Sequence, residues 1–156
     1  MDSKSSSART FLVSKEDSGQ FVGFFTLTQK SLVLEDFFGV SKTLEKKIKW
    51  FSDAYRIGTE TNERTIQIAS VLLIAHIGKN YTDGKNKLIS GEQLLKVAFE
   101  KITEIQREVG GRFILVECED TPSLLEYYSA NGFIRLQDRK IGGDGGEYFV
   151  QLIRTS

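Results

Sequence analysis

Residues 71–102 read VLLIAHIGKNYTDGKNKLISGEQLLKVAFEKI. An apolar run breaks into a short segment rich in Gly, Lys and Asn, and an amphipathic pattern follows. From residue 65 to 78 the chain first alternates at Ile66 and Ile68 and then turns continuously apolar. That is the pattern of a strand covered on both faces. Beyond the loop, Leu95, Ala98, Ile102, Ile105 and Val109 recur at three- and four-residue intervals, and Gly110-Gly111 supplies a stop. These predict a helix. RFILVEC (residues 112–118) is a second buried strand. Strand, helix and strand at this spacing predict a right-handed βαβ unit with the two strands parallel.

A strand, a glycine-and-lysine loop and a helix start are the ingredients of an anion cradle, although by themselves they read more readily as an ordinary capped helix behind a solvated lysine loop. The first free amides of the helix fall from about Leu88 to Glu92, and Lys85 and Lys87 lie just upstream as point charges. The segment is not a P-loop: the spacing from Gly78 to Gly84-Lys85 is one residue too long, and Asn86 stands where Ser or Thr would bind magnesium. It is not a dinucleotide fingerprint either, because the glycines are scattered and the chain begins with a hairpin.

Outward from this unit, residues 10–13 form a short strand, KEDSG (15–19) a turn, and FVGFFTLT (21–28) the partner strand, with 31–35 continuing it after a bend. SKTLEKKIKW (41–50) has an N-cap Ser41 and apolar Leu44 and Ile48, which predicts a helix. RIGTETNER (56–64) reads as polar loop. After the second buried strand, Thr121-Pro122 opens a short helix that stops at Asn131-Gly132. Residues 133–136 and 148–153 are two more strands, joined by the flexible connection GGDGG (142–146).

The 156 residues carry 21 Lys plus Arg against 21 Asp plus Glu. No global field therefore draws the protein to nucleic acid or anionic lipid. One cysteine cannot form an intrachain disulfide, the polar N-terminus lacks an apolar signal core, and no apolar run reaches membrane-spanning length. A cytoplasmic protein with no membrane association is expected.

The order of elements, with SLLEYYSANGF (123–133) after the second parallel strand, resembles the GNAT N-acetyltransferase superfamily. That family carries an apolar strand, a pyrophosphate loop of the form Q/R-x-x-G-x-G/A, a helix, a strand, and a helix ending in aromatic-Tyr-x-x-x-Gly-Phe. Tyr127-Tyr128-Ser129-Ala130-Asn131-Gly132-Phe133 matches the last motif in full. Gly91, followed by Glu92-Gln93-Leu94-Leu95, matches the final loop glycine and the helix start. Asn86 and Ile89 depart from the loop pattern, and Ile89 restricts φ where the family has glycine, keeping the phosphates further away. Thr121 replaces the family's Asn at the start of the last helix, and the usual leading strand and two helices do not precede Thr10.

The resemblance implies a mixed α/β (α+β) fold: a GNAT-like mixed sheet flanked by helices around a βαβ acetyl-CoA-binding core. It would occupy residues 10–156 as one domain after a flexible N-terminus (1–9). Acetyl-CoA is the implied cofactor and an amine the acceptor, attacking the thioester directly in a ternary complex. Ile77, Gly78 and Lys79 at the strand end would supply amide donors to the developing oxyanion, Gly78 letting the ligand approach closely. Lys85, Lys87, Leu88, Ile89, Ser90, Gly91 and Glu92 would hold the pyrophosphate, with Thr121 at the next helix. No metal is implied.

Tyr128 matches the family's general acid, which protonates the departing thiolate, while Tyr127, its neighbour one residue earlier, is read as core. His76, the only histidine, is a candidate base by its pKa, although a lone histidine on a buried strand is more often a satisfied core residue. Glu117 and Glu119 are rivals for that role, and water suffices for an α-amine acceptor. Cys118 is read as core.

SARTFLV, VGFFTLT and LLIAHIG are similar to the branch containing toxins that acetylate aminoacyl-tRNA. Zero net charge gives that acceptor no help, and the only candidate patch, Lys42, Lys46, Lys47 and Lys49, also reads as a solvated helix face. The rival class is a non-catalytic CoA-binding or interaction protein that keeps the fold. Without leading elements the sheet would have a bare edge and an uncovered apolar face, so a homodimer or protein partner is expected there.

Overall fold

The computed structural model describes residues 8–35, 37, 39–140 and 148–155. Residues 1–7 of the expected flexible N-terminus (1–9) and the GGDGG connection (142–146) lie outside them, whereas Arg9 opens the first strand. Among the described residues seven strands form one mixed sheet: β1 (Arg9–Ser14), β2 (Phe21–Leu34), β3 (Asp53–Thr59), β4 (Asn62–Lys79), β5 (Phe113–Cys118), β6 (Ile134–Lys140) and β7 (Tyr148–Thr155). Their order is β1-β2-β4-β5-β7-β6. All pairings are antiparallel except β4 with β5, so the βαβ unit forms as the apolar runs predict. Three helices pack on the sheet: α1 (Lys42–Trp50), α2 (Gly91–Val109) and α3 (Pro122–Ala130).

The stretch expected to be a polar loop, residues 56–64, is instead the hairpin of β3 and β4, turning at Glu60-Thr61. Every residue of β3 is exposed. A ribbon solvated on both faces carries no apolar alternation, which is why its strands are invisible to a hydrophobic pattern. Gln67 and Ile68 pair with both β2 and β3. Those two strands therefore flank opposite edges of β4, and β5 takes the edge beyond the end of β3.

Each face of the sheet has its own core. On one, Phe25, Leu27, Leu72, Ile74, Ile114, Val116 and Val150 pack against Leu95, Ala98 and Ile102 of α2 and Tyr128 of α3. Burying each such Leu or Ile contributes about 1.5–3 kcal/mol, and it is the 3.6-residue repeat of α2 that delivers them to one side. On the other face, Leu32, Leu34, Ala69, Val71, Phe113 and Leu115 pack against Leu44 and Ile48 of α1. The apolar face expected to lie bare is covered there by α1. β1 stands at the end of the strand order, and its Leu12 is 71% exposed.

Candidate active site

The geometry turns on one residue too many in β4. Its register with β2 runs Phe25↔Ile77 and Thr26↔His76, then Leu27↔Ile74, so Ala75 is a bulge. A single inserted residue exchanges the two faces of the strand beyond it. Ile77 thereby joins the core beneath α2, while His76 is exposed. The reading of His76 as a satisfied core residue is corrected by this bulge: without it, His76 would share the buried face of Leu72 and Ile74.

β4 and β5 also part company here. Their pairing stops at Ile74↔Val116, although β4 continues to Lys79 and β5 to Cys118. The Asn80 N–H donates to Val22 O at 2.8 Å and so faces β2. Strand alternation turns the Gly78 N–H the same way and those of Ile77 and Lys79 toward the gap. The expected trio of amide donors is thus divided.

Tyr128 lies in the core cluster that includes Ile74, Val116 and Cys118, the residues where the strands separate. Its ring meets Phe133 edge-on at 5.5 Å. Burial, then the neighbouring Cys118, raises its pKa, so the phenol stays protonated at neutral pH. No hydrogen bond engages its hydroxyl among the described residues. No fully buried polar side-chain atom there lacks a partner, so the hydroxyl reaches accessible space. The Cys118 thiol is raised chiefly by burial, which keeps it from acting as a thiolate.

At the start of α2 the capping box is complete: Ser90 Oγ accepts from Gln93 N at 3.0 Å, and Ser90 N donates to Gln93 Oε1 at 2.9 Å. That occupies the third amide of the helix and leaves the N–H groups of Gly91 and Glu92 as its free donors. The lead-in, Thr82–Leu88, is a tight 3-10 segment with Asp83 and Gly84 at φ of 52° and 73°. It places half-buried Lys85 and exposed Lys87 just before Ser90. Ile89 is extended at φ −144° with its side chain buried beside Val22 and Leu94. The position needs no glycine conformation, so the φ restriction of an Ile costs the loop nothing there. Leu88 is exposed. Thr121 stands at the N-cap of α3 without a side-chain capping bond.

Two further expectations are corrected. Gly78 is not an open approach for a ligand, since the Phe24 ring fills the space over it. Glu117 does not stand free as a base. It accepts from Lys30 Nζ at 3.1 Å, from Arg139 at 3.1 Å and from Gln151 Nε2 at 2.7 Å. Burial alone would raise its pKa, but the Gln151 bond, the Lys30 bond and charge, and the Arg139 charge together hold it below its ordinary value. Glu119 is exposed at the strand end. The sequence carried a signal for this network, because Gln151 interrupts the apolar strand YFVQLIRT and yet is 2% exposed.

No protein-family model matches the chain, and neither does any curated protein. Solved structures do. The chain is similar to a bacterial toxin at 17% identity, covering 96% of this chain and 68% of that one, with a TM-score of 0.56. The bulged β4, parted from β5 ahead of α2, sits in a shared architecture. The fold is that of the GNAT acetyltransferases. A second GNAT-fold likeness is to AtaT complexed with acetyl-methionyl-tRNAfMet, at 16% identity over 92% of this chain and 70% of that one (TM-score 0.52). A third is to the Drosophila melanogaster polyamine N-acetyltransferase, at 11% identity over 94% and 74% (TM-score 0.52). Among the described residues no helix is long and apolar enough to cross a membrane.

Proposed function

We propose that this GNAT-fold protein is an acetyl-CoA-dependent N-acetyltransferase acting by direct attack in a ternary complex. The observation that carries the reading is the Tyr128 phenol, protonated and without a hydrogen-bond partner among the described residues, in the core cluster that includes Ile74, Val116 and Cys118. The thioester would lie in that gap with its carbonyl oxygen toward the Ile77 and Lys79 amides, which stabilise the charge developing on attack. The pyrophosphate would meet the Gly91 and Glu92 amides, with Lys85 and Lys87 adding charge. The amine nitrogen bonds to the acetyl carbon, the carbon–sulfur bond breaks, and the Tyr128 proton passes to the thiolate. The ammonium proton leaves toward the opposite face, where His76 stands exposed, or to water.

A second reading makes aminoacyl-tRNA the acceptor. It is supported by the likeness to AtaT and by the exposed Lys42, Lys46 and Lys47 on α1; Lys49 is tied to Glu45 at 3.0 Å. A homodimer or protein partner would pair along β1, whose Leu12 is exposed. Light scattering showing only monomer at high concentration, with no partner recovered, removes that part.

The test is transfer of radiolabelled acetyl from acetyl-CoA to a panel of polyamines, peptide N-termini and aminoacyl-tRNA. Label in one class identifies the acceptor. Cofactor binding without label in any class replaces the enzyme with a non-catalytic CoA-binding protein.

A further inference from the structure

Tyr127 does not behave as a core bystander. Its hydroxyl donates to Gly91 O at 2.7 Å, reaching from α3 to the first residue of α2. The ring packs so closely on Gly91 that a Cβ there would lie 3.0 Å from Tyr127 Cε1. The Asn131 side chain fixes the same residue from behind, donating to Tyr127 O at 2.8 Å, and the Tyr127 and Tyr128 rings are 5.0 Å apart. Burial pushes the Tyr127 phenol up to about 12, so it remains a donor across the working pH range.

We infer that Tyr127 is a positioning residue that locks the pyrophosphate-binding amides at the start of α2 to the helix carrying the proton donor. The inference rests on the acetyltransferase reading above. With the Gln93 amide taken by Ser90, the donors left at the helix start belong to Gly91 and to the residue after it. Anchoring the Gly91 carbonyl fixes the peptide plane from which the Glu92 N–H projects, and so the setting of the helix's first turn. Adjacency in sequence then makes Tyr127 and Tyr128 one rigid unit, so phosphate contacts at one end set the register of the thioester against the acid at the other. Gly91 leaves room for this ring as well as matching the motif. A Cβ there would crowd the Tyr127 ring, which must give by a few tenths of an ångström and so strain the bond.

The test compares acetyl-CoA, titrated by calorimetry, with S-acetylpantetheine, which lacks the pyrophosphate, titrated at millimolar concentration by NMR. The unmodified protein, Tyr127→Phe and Gly91→Ala are measured in parallel. Tyr127→Phe is expected to raise the acetyl-CoA Kd about 3–10-fold, the worth of one hydrogen bond, and to leave the S-acetylpantetheine Kd unchanged. Gly91→Ala is expected to show the same selective loss, and decides alone if Tyr127→Phe is unfolded by circular dichroism. An unchanged acetyl-CoA Kd, or equal losses for both ligands, overturns the positioning role while leaving the acetyltransferase reading in place. Failure of the unmodified protein to bind acetyl-CoA overturns both.

Discussion

The ring of Phe24 stands in for a side chain at Gly78. The two residues are cross-strand partners in β2 and β4, and a Cβ built on Gly78 would lie 3.0 Å from Phe24 Cε1. An aromatic ring laid over a strand glycine recovers packing that the glycine gives up. Gly78→Ala is therefore expected to displace the ring and cost about 1–3 kcal/mol, the usual price of overpacking. In a Phe24→Leu background the same change should cost less. Urea unfolding of the four proteins measures the coupling, and additive losses would show that the two positions do not interact.

The Glu117 network predicts a pH dependence whose sign is fixed. Its folded-state pKa is depressed, so the carboxylate's contribution is complete above the ordinary range, about 4.3, and is lost as pH falls through the lower folded value. Glu117→Gln should destabilise the protein at pH 7 by about 1–3 kcal/mol, because Lys30 and Arg139 lose their common partner. The Tm gap between the two proteins should narrow at pH 3. A gap independent of pH would mean that the carboxylate's charge plays no part.

Ser90→Ala removes the acceptor that holds the Gln93 amide. A lost N-cap costs about 0.5–2 kcal/mol, and the loss should appear in chemical denaturation. Ser90→Asp restores an acceptor and should recover most of it.

The βαβ unit was legible because its burial follows simple periods. The middle of β4 (Val71–Ile74) and β5 are apolar on both faces, and α2 presents Leu95, Ala98 and Ile102 along one stripe. The ends of α1 and α3 followed from Ser41 and from Asn131-Gly132. The exposed ribbon at β3 was not legible, since hydropathy marks burial and the ribbon has none. His76 was misplaced for a different reason. Ala75 is an ordinary strand residue, and only the pairing with β2 reveals that it is the extra one. The engagement of Glu117 depends on Lys30, Arg139 and Gln151, which lie 87, 22 and 34 residues away in sequence. No local pattern encodes such contacts. The motif singled out Tyr128 and left Tyr127 to the core, and only the close approach of α3 to Gly91 gives Tyr127 its contact with α2.

Tyr128→Phe removes one oxygen and keeps the ring against Phe133. If that oxygen protonates the thiolate, kcat should fall about 10²–10⁴-fold with the acetyl-CoA Kd unchanged. His76→Gln should lower kcat if His76 takes the acceptor proton. An unaltered kcat assigns that step to water.

The central claim is that the start of α2 and the gap between β4 and β5 hold acetyl-CoA, and isothermal calorimetry tests it most directly. Saturable binding near one molecule per chain is expected, accompanied by a rise in Tm that grows with ligand concentration. ATP with magnesium should give a smaller shift, because it has a polyphosphate but no pantetheine arm to enter the gap. A flat acetyl-CoA titration at saturating concentration, or a stronger response to ATP, would contradict the account.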